Sequence, residues 1–175
     1  MIHSVKFKCV LDTNVIYPLW IRDLLMWFAY FELYTPKWSS NIFHEWISVM
    51  KRKGIEENEA LKRADKINLV FPDALGVNYE PFIDSLMLPD LNDRHVLAAA
   101  IEANADLIIT NNLKDFPEDY LSSFRLKAKT PDDFFTDIID LNHDLSVQAF
   151  KKLVLNKKIL HIMNVMYLKF LEIMD

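Results

Sequence analysis

Asp12, Glu45, Asp93 and Asp115 lie far apart in the chain, yet they occupy places that an α/β fold would draw together. Asp12 ends the apolar run Phe7-Lys8-Cys9-Val10-Leu11 and is followed by Thr13 and Asn14. Asp93 opens a helical pattern, Arg94-His95-Val96-Leu97-Ala98-Ala99-Ala100, and Asp115 follows the apolar run Leu107-Ile108-Ile109-Thr110. An acid just past the carboxyl end of a buried strand stands where ligand sites form in open α/β sheets. Carboxylates gathered without cysteine or histidine companions make an oxygen-donor set suited to Mg²⁺ or Mn²⁺. The chemistry such a cluster supports is phosphodiester hydrolysis. Two ions about 4 Å apart can activate a water, stabilise the transition state and neutralise the leaving oxygen. Without metal, carboxylates this close repel one another and at least one pKa rises.

The elements that must position these acids are legible in the patterning. Phe7 to Leu11 reads as a central strand, followed by a helix over Leu19 to Phe31 with Pro18 at its start. Tyr34 to Trp38 is a second strand. Ser39 or Ser40 caps a helix from Asn41 to Lys53 that Gly54 ends, with Glu45 one turn inside it. A charged helix over Ile55 to Leu69 forms a hairpin with it. Val77 to Tyr79 is expected as a minor strand and Phe82 to Met87 as a short helix. The loop Leu88-Pro89-Asp90-Leu91-Asn92 then delivers Asp93 to the cap or first turn of the next helix. Leu107 to Thr110 is a further strand and Arg125 to Lys129 an edge strand. Strands alternating with helices imply βαβ units and a parallel sheet. From Thr130 the chain reads as helical, with Ser146 expected to cap a helix through Val154. The stretch Ile159 to Met174 is apolar and methionine-rich.

Composition narrows the function classes. The 175 residues fit one domain, and 51% apolar with 26% charged residues suits a globular protein. The two glycines, Gly54 and Gly76, leave no room for a glycine-rich phosphate loop. The single cysteine, Cys9, forbids an internal disulfide and a cysteine metal cluster, and inside the first strand it reads as a buried small hydrophobe. The net charge of −5 gives no basic footprint for nucleic acid, but a nuclease with acids around its metal can be acidic overall. Met1 to Lys8 lacks the apolar core of a signal peptide, and no stretch near the start would span a bilayer, so a cytoplasmic location without membrane contact is the expectation.

On these segments, from Lys6 to Phe116, the chain resembles the PIN-domain nucleases, and among them the VapC-like toxins of toxin–antitoxin pairs. In that family an acid ends the first strand, a Glu lies on a following helix, an acid opens a later helix, and a Thr-x-Asp/Asn element follows another strand. The matching residues are Asp12 with Thr13 and Asn14, Glu45, Asp93, and Thr110 with Asn112. The resemblance implies a three-layer α/β fold, with a parallel sheet of four or five strands and helices on both faces. Residues 1–130 would form the PIN-like domain, and 131–175 a helical extension packed on it. It further implies a Mg²⁺- or Mn²⁺-dependent ribonuclease, an RNA substrate, an antitoxin protein as partner, and a homodimer. Asp12 and Asp93 would be principal ligands, with Glu45 and Asp115 as ligands or water orienters. Thr13, Asn14, Thr110 and Asn112 would support the ligands or contact a phosphate.

One departure counts. Many family members have Asp two residues after the Thr, where this chain has Asn112, and the later Asp115 would restore the charge. Bland alternatives stand beside these readings. Asp90, Asn92 and Asp93 compete to cap one helix. His95 is a ligand, a general base or a helix-face residue with a structural hydrogen bond. Arg94 pairs with an acid or a phosphate, and Lys51-Arg52-Lys53 is a solvated helix end or a backbone contact. The basic, apolar tail with Lys157, Lys158 and Lys169 is a packing helix or a partner surface. Three other functions compete: a PIN nuclease that is not a toxin, a PIN-like RNA-binding module without catalysis, and a haloacid-dehalogenase-like phosphatase. The phosphatase needs an acid where Asn14 stands.

Overall fold

Alternating apolar runs and amphipathic helices produce an all-parallel sheet, seen here in a computed structural model that describes residues 7–156. The elements are β1 (Lys8–Leu11), α1 (Thr13–Ile16), α2 (Leu19–Tyr30), β2 (Thr35–Ser39), α3 (Ser40–Arg52), α4 (Glu57–Val70), β3 (Leu75–Gly76) and α5 (Glu80–Ile83). They continue with α6 (Arg94–Glu102), β4 (Leu107–Ile109), α7 (Glu118–Ser122), β5 (Lys127–Lys129), α8 (Pro131–Leu141) and α9 (His143–Asn156). Among the described residues the strand order is β3-β2-β1-β4-β5, every pairing parallel. The chain thus winds outward one way through β1, β2 and β3 and the other way through β4 and β5. The order reverses between β1 and β4. Right-handed crossovers on the two sides of that point put helices on both faces of the sheet. This is the parallel sheet that the alternation of elements implied and the three-layer α/β architecture that the resemblance implied.

The core explains why β1 reads as nearly continuous apolar residues. Cys9, Val10 and Leu11 are fully buried, as expected for a strand covered on both faces. Burial pushes the Cys9 thiol well above its ordinary range, and the nearby Asp106 adds to the shift, so this sulfur behaves as a small hydrophobe. Trp38, Phe43 and Trp46 form an aromatic layer where β2 meets α3, with Trp38 stacked on Phe43. Phe134 of α8 packs edge-on against Tyr34, and Phe135 against Phe28 of α2. Residues 131–156 therefore continue the same core. The apolar stretch Ile159 to Met174, with Lys157, Lys158 and Lys169, lies outside the described residues.

Three local expectations are corrected. The minor strand is Leu75–Gly76 and not Val77 to Tyr79: Asn78 turns to φ +63°, and the buried Tyr79 ring sends its hydroxyl to Ser40 Oγ, 2.8 Å away. The helix expected over Phe82 to Met87 is α5, earlier and shorter, because the Ser85 hydroxyl donates to the Phe82 carbonyl while Leu86 and Leu88 turn into the core. Ser146 caps nothing. It is buried within α9, its hydroxyl on the Ile138 carbonyl, and Asn142 supplies the cap by accepting from Leu145 N–H at 3.2 Å.

The helix bearing Glu45 has both ends defined by sequence. Ser39 Oγ accepts from Ile42 N–H at its start, and Gly54, at φ +87°, turns the chain just past its end. Ser39→Ala is expected to lower stability by about 1 kcal/mol, read as a fall in the urea midpoint with the slope unchanged. No change in midpoint would mean that the cap contributes nothing here.

Candidate metal centre

The backbone delivers Asp12 and Thr110 side by side. Asp12 N–H donates to the Ile109 carbonyl at 3.1 Å, extending the β1–β4 ladder by one bond, and Thr110 N–H donates to the Lys129 carbonyl at 3.0 Å. Both residues therefore sit at the carboxyl ends of adjacent parallel strands, at the point where strand order reverses. Their side chains meet. Thr110 Oγ1 donates to Asp12 Oδ2 at 2.7 Å, and Asn14 Nδ2 donates to the same oxygen at 2.5 Å and to Thr110 Oγ1 at 2.9 Å. Asn14 Oδ1 accepts from Asn111 N–H at 2.9 Å, and Thr110 Oγ1 accepts from Asn112 N–H at 3.0 Å. One Asp12 oxygen is thus saturated by a rigid polar knot. Burial raises the Asp12 pKa, with Glu45 adding to the shift and the Thr110 hydrogen bond opposing it.

Glu45 reaches the site from α3 with both oxygens engaged. Its Oε2 lies 2.6 Å from Thr13 Oγ1, which has the Ile42 carbonyl as its more distant acceptor, at 3.2 Å. Its Oε1 lies 2.9 Å from His95 Nε2. Burial pushes the Glu45 carboxyl up, but the His95 and Thr13 hydrogen bonds outweigh it and hold the group below the usual carboxylate range.

Asp93 occupies the residue before α6 yet caps nothing. Its backbone is already helical and its side chain makes no capping bond. Asp90 caps the 3-10 turn Leu91–Asp93 that leads into α6, its Oδ1 accepting from Asn92 N–H at 2.9 Å. Freed from capping, Asp93 holds a buried Oδ2 that meets no donor among the described residues. Burial pushes its pKa up to about 6, helped by the charges of Asp12, Asp90, Asp115 and Glu45. A carboxylate without a donor for Oδ2, with Asp90 and Asp115 oxygens within 4.8 Å and the charges of Asp12 and Glu45 acting on it, is electrostatically unfavourable as an anion, and a cation would relieve it.

Asp115 arrives on a 3-10 turn, Leu113–Asp115, and is buried. Asn112 Nδ2 donates to Asp115 Oδ2. The amide at position 112 thus bonds the carboxylate three residues on, so the charge enters the site at Asp115. Asp90, Asp93 and Asp115 each offer an oxygen, all within 4.8 Å of one another. The sequence weighed Asp90 only as a cap. Its membership in this trio became visible only when the Leu88–Asn92 loop folded over the 3-10 turn. The all-oxygen donor set and the orphaned Asp93 oxygen fit a hard divalent cation.

Residues near the site resolve several sequence alternatives. Arg94 pairs at long range with Asp84, 4.0 Å away, and donates to the Leu91 carbonyl at 3.0 Å. Lys51 pairs with Glu57 at 2.7 Å, tying α3 to α4. A separate, mostly apolar cleft of about 560 Å³ lies among α2, α3 and α4, with Trp27, Tyr30, Trp46 and Phe71 in its lining, and none of the four acids borders it. Among the described residues no helix is long and apolar enough to cross a membrane.

An all-parallel sheet with carboxylates gathered where its order reverses defines an α/β protein with a candidate cation site, and comparison with known families makes the class specific. Residues 8–114 match the PIN domain, and the chain belongs to that family. A 49-residue segment is 55% identical to the Mycobacterium tuberculosis protein named "Putative ribonuclease VapC50". That segment covers 28% of this chain and 29% of the relative, so the likeness spans less than a third of either protein. No solved structure matches the chain.

Proposed function

We propose that this protein is a Mg²⁺- or Mn²⁺-dependent endoribonuclease that hydrolyses RNA phosphodiester bonds, the toxin of a type II toxin–antitoxin pair. The observation that carries this reading is the crowding of Asp93 by Asp12, Glu45, Asp90 and Asp115, which leaves a buried carboxylate oxygen without a donor. PIN-domain membership supports a nuclease, and the relative's name supports RNA as the substrate and the VapC group as the setting.

Bound metal would supply a nucleophilic water at neutral pH and neutralise charge developing on the phosphate oxygens. In our reading Asp12 and Asp93 are its principal ligands, and Glu45 and Asp115 are ligands or orient water. The knot of Asn14 and Thr110 holds one Asp12 oxygen and leaves the other available. Thr13 steadies Glu45, and Asn112 steadies Asp115. In this reading residues 1–130 are the catalytic unit and 131–156 a helical extension on it, the basic, apolar tail lying outside the described residues. An antitoxin protein and a second copy of the chain are the partners this reading includes, and the cytoplasm its location.

Cleavage of end-labelled single-stranded RNA with Mg²⁺, Mn²⁺ or EDTA tests it. We expect cutting with either metal and none with EDTA. Metal binding without cutting, across RNAs of varied sequence, would favour a PIN-like RNA-binding module that lacks catalysis. Cutting that survives EDTA would remove metal from the reading altogether.

A further inference from the structure

The polar groups around the acids are accounted for by the proposed chemistry except one. His95, in the first turn of α6, is 8% exposed, and its Nε2 meets Glu45 Oε1 at 2.9 Å. Its other ring nitrogen, Nδ1, is buried with no hydrogen-bond partner among the described residues. These two facts determine how the ring works. A buried N–H without an acceptor is among the rarest features of folded proteins, whereas an unused acceptor lone pair is tolerated more readily. The arrangement therefore favours a proton on Nε2, donating to Glu45.

We infer that His95 is a positioning residue: by donating Nε2–H to Glu45 Oε1 it sets the direction of the Glu45 carboxylate. This rests on the metal-dependent nuclease reading above. Glu45 alone could not hold its place, because its side chain is 44% exposed and rises from the partly exposed side of α3. It is gripped from two sides instead. Thr13, the residue after Asp12, takes Oε2, and His95, two residues after Asp93, takes Oε1. The two grips come from the segments that carry the other two principal acids, so the placing of Glu45 is tied to both. Hydrogen bonds of this kind fix ligand orientation, and losing one typically costs 10- to 100-fold in metal affinity or activity.

The ring is replaceable by any donor of similar reach, and this separates positioning from mere packing. In His95→Gln, the side-chain amide can place an N–H near the position of Nε2. In His95→Leu, the volume is kept and the donor lost. We expect His95→Leu to weaken Mn²⁺ binding, followed by the free-ion EPR signal, by about 10- to 100-fold. His95→Gln should recover binding to within a few-fold of wild type, although it fits the apolar surroundings less well. RNA cleavage should fall in the same order, through kcat more than KM, because Glu45 does not need to bind the RNA for His95 to matter. In metal-free wild type, ¹⁵N chemical shifts of the His95 ring should report a proton on Nε2.

Three results overturn the inference. One is a folded His95→Leu protein that binds Mn²⁺ like wild type. Another is a His95→Gln protein no better than His95→Leu. The third is a ring without a proton on Nε2, which stays readable if His95→Leu fails to fold. Failure of the nuclease reading looks different: wild type itself would then not cut RNA, whether or not it binds Mn²⁺.

Discussion

Asp93→Asn is expected to reduce metal-dependent RNA cleavage by about 10³-fold or more and, in the same protein, to raise the stability of the metal-free fold. The first effect follows from removing one of the two principal anionic ligands. A metal-held transition state is stabilised by several kcal/mol, and each 1.36 kcal/mol is tenfold in rate, so losing about 4 kcal/mol removes three decades. The second follows from electrostatics already present in the fold. With its pKa pushed up to about 6, Asp93 is an unfavourable anion at pH 7. Asparagine has nearly the same shape and no charge. After discounting for the water that reaches this half-exposed group, the relief is about 1 kcal/mol, or about 3 °C in Tm for a chain of this size. Opposite changes in activity and stability at one residue are the signature of a functional carboxylate held in strain. A carboxylate that only capped a helix would change little, because Asn caps about as well as Asp. Single-turnover cleavage and thermal melts in EDTA measure the two quantities. A variant that melts no higher while still cutting would displace Asp93 from the site.

How much of this was legible in the sequence depends on which interactions are local. β1 and β4 could be read because buried parallel strands are continuous apolar runs, and α3 because Ser39 and Gly54 punctuate it. The three acids next to strand ends or helix starts were legible for the same reason: their places follow from element boundaries. Glu45 was legible only by resemblance, since an acid on an amphipathic helix carries no local mark. What local pattern could not reveal were the tertiary partnerships. Asp90 looks like a cap in sequence and does cap, yet it also stands beside Asp93 and Asp115 because two loops meet. His95 was one of several options until α3 and α6 were placed together. The errors share that origin. Tyr79 lies in the stretch expected as a minor strand, but its hydroxyl is used at the start of α3. Ser146 was read as a cap because serine often is, but it faces α8 from inside a longer helix.

The same electrostatics predict that acid stabilises the metal-free protein and destabilises the metal-bound one. Asp93 has a folded-state pKa of about 6, above its ordinary value near 3.9. A group whose folded pKa is raised contributes stability that is fully present below the unfolded pKa and lost as pH rises through the folded one. Asp12 is shifted in the same direction by burial, so it acts with the same sign. Glu45 is shifted down, and its contribution is present above its ordinary pKa and lost only as pH falls through the lower folded value. Between pH 5 and 7 the raised groups therefore dominate, and melts in EDTA should show a higher Tm at pH 5 than at pH 7. Mn²⁺ must displace the Asp93 proton to use that oxygen, so apparent affinity should rise about tenfold between pH 5 and 7 from this group alone. With saturating Mn²⁺ the order of the two melting temperatures should then reverse, since binding to the folded state adds stability that grows with affinity. Asp93→Asn serves as the control, because it should flatten both trends while leaving every other titrating group in place. A Tm in EDTA that rises from pH 5 to 7 in wild type, and equally in Asp93→Asn, would show that the crowding of Asp93 is not felt by the fold.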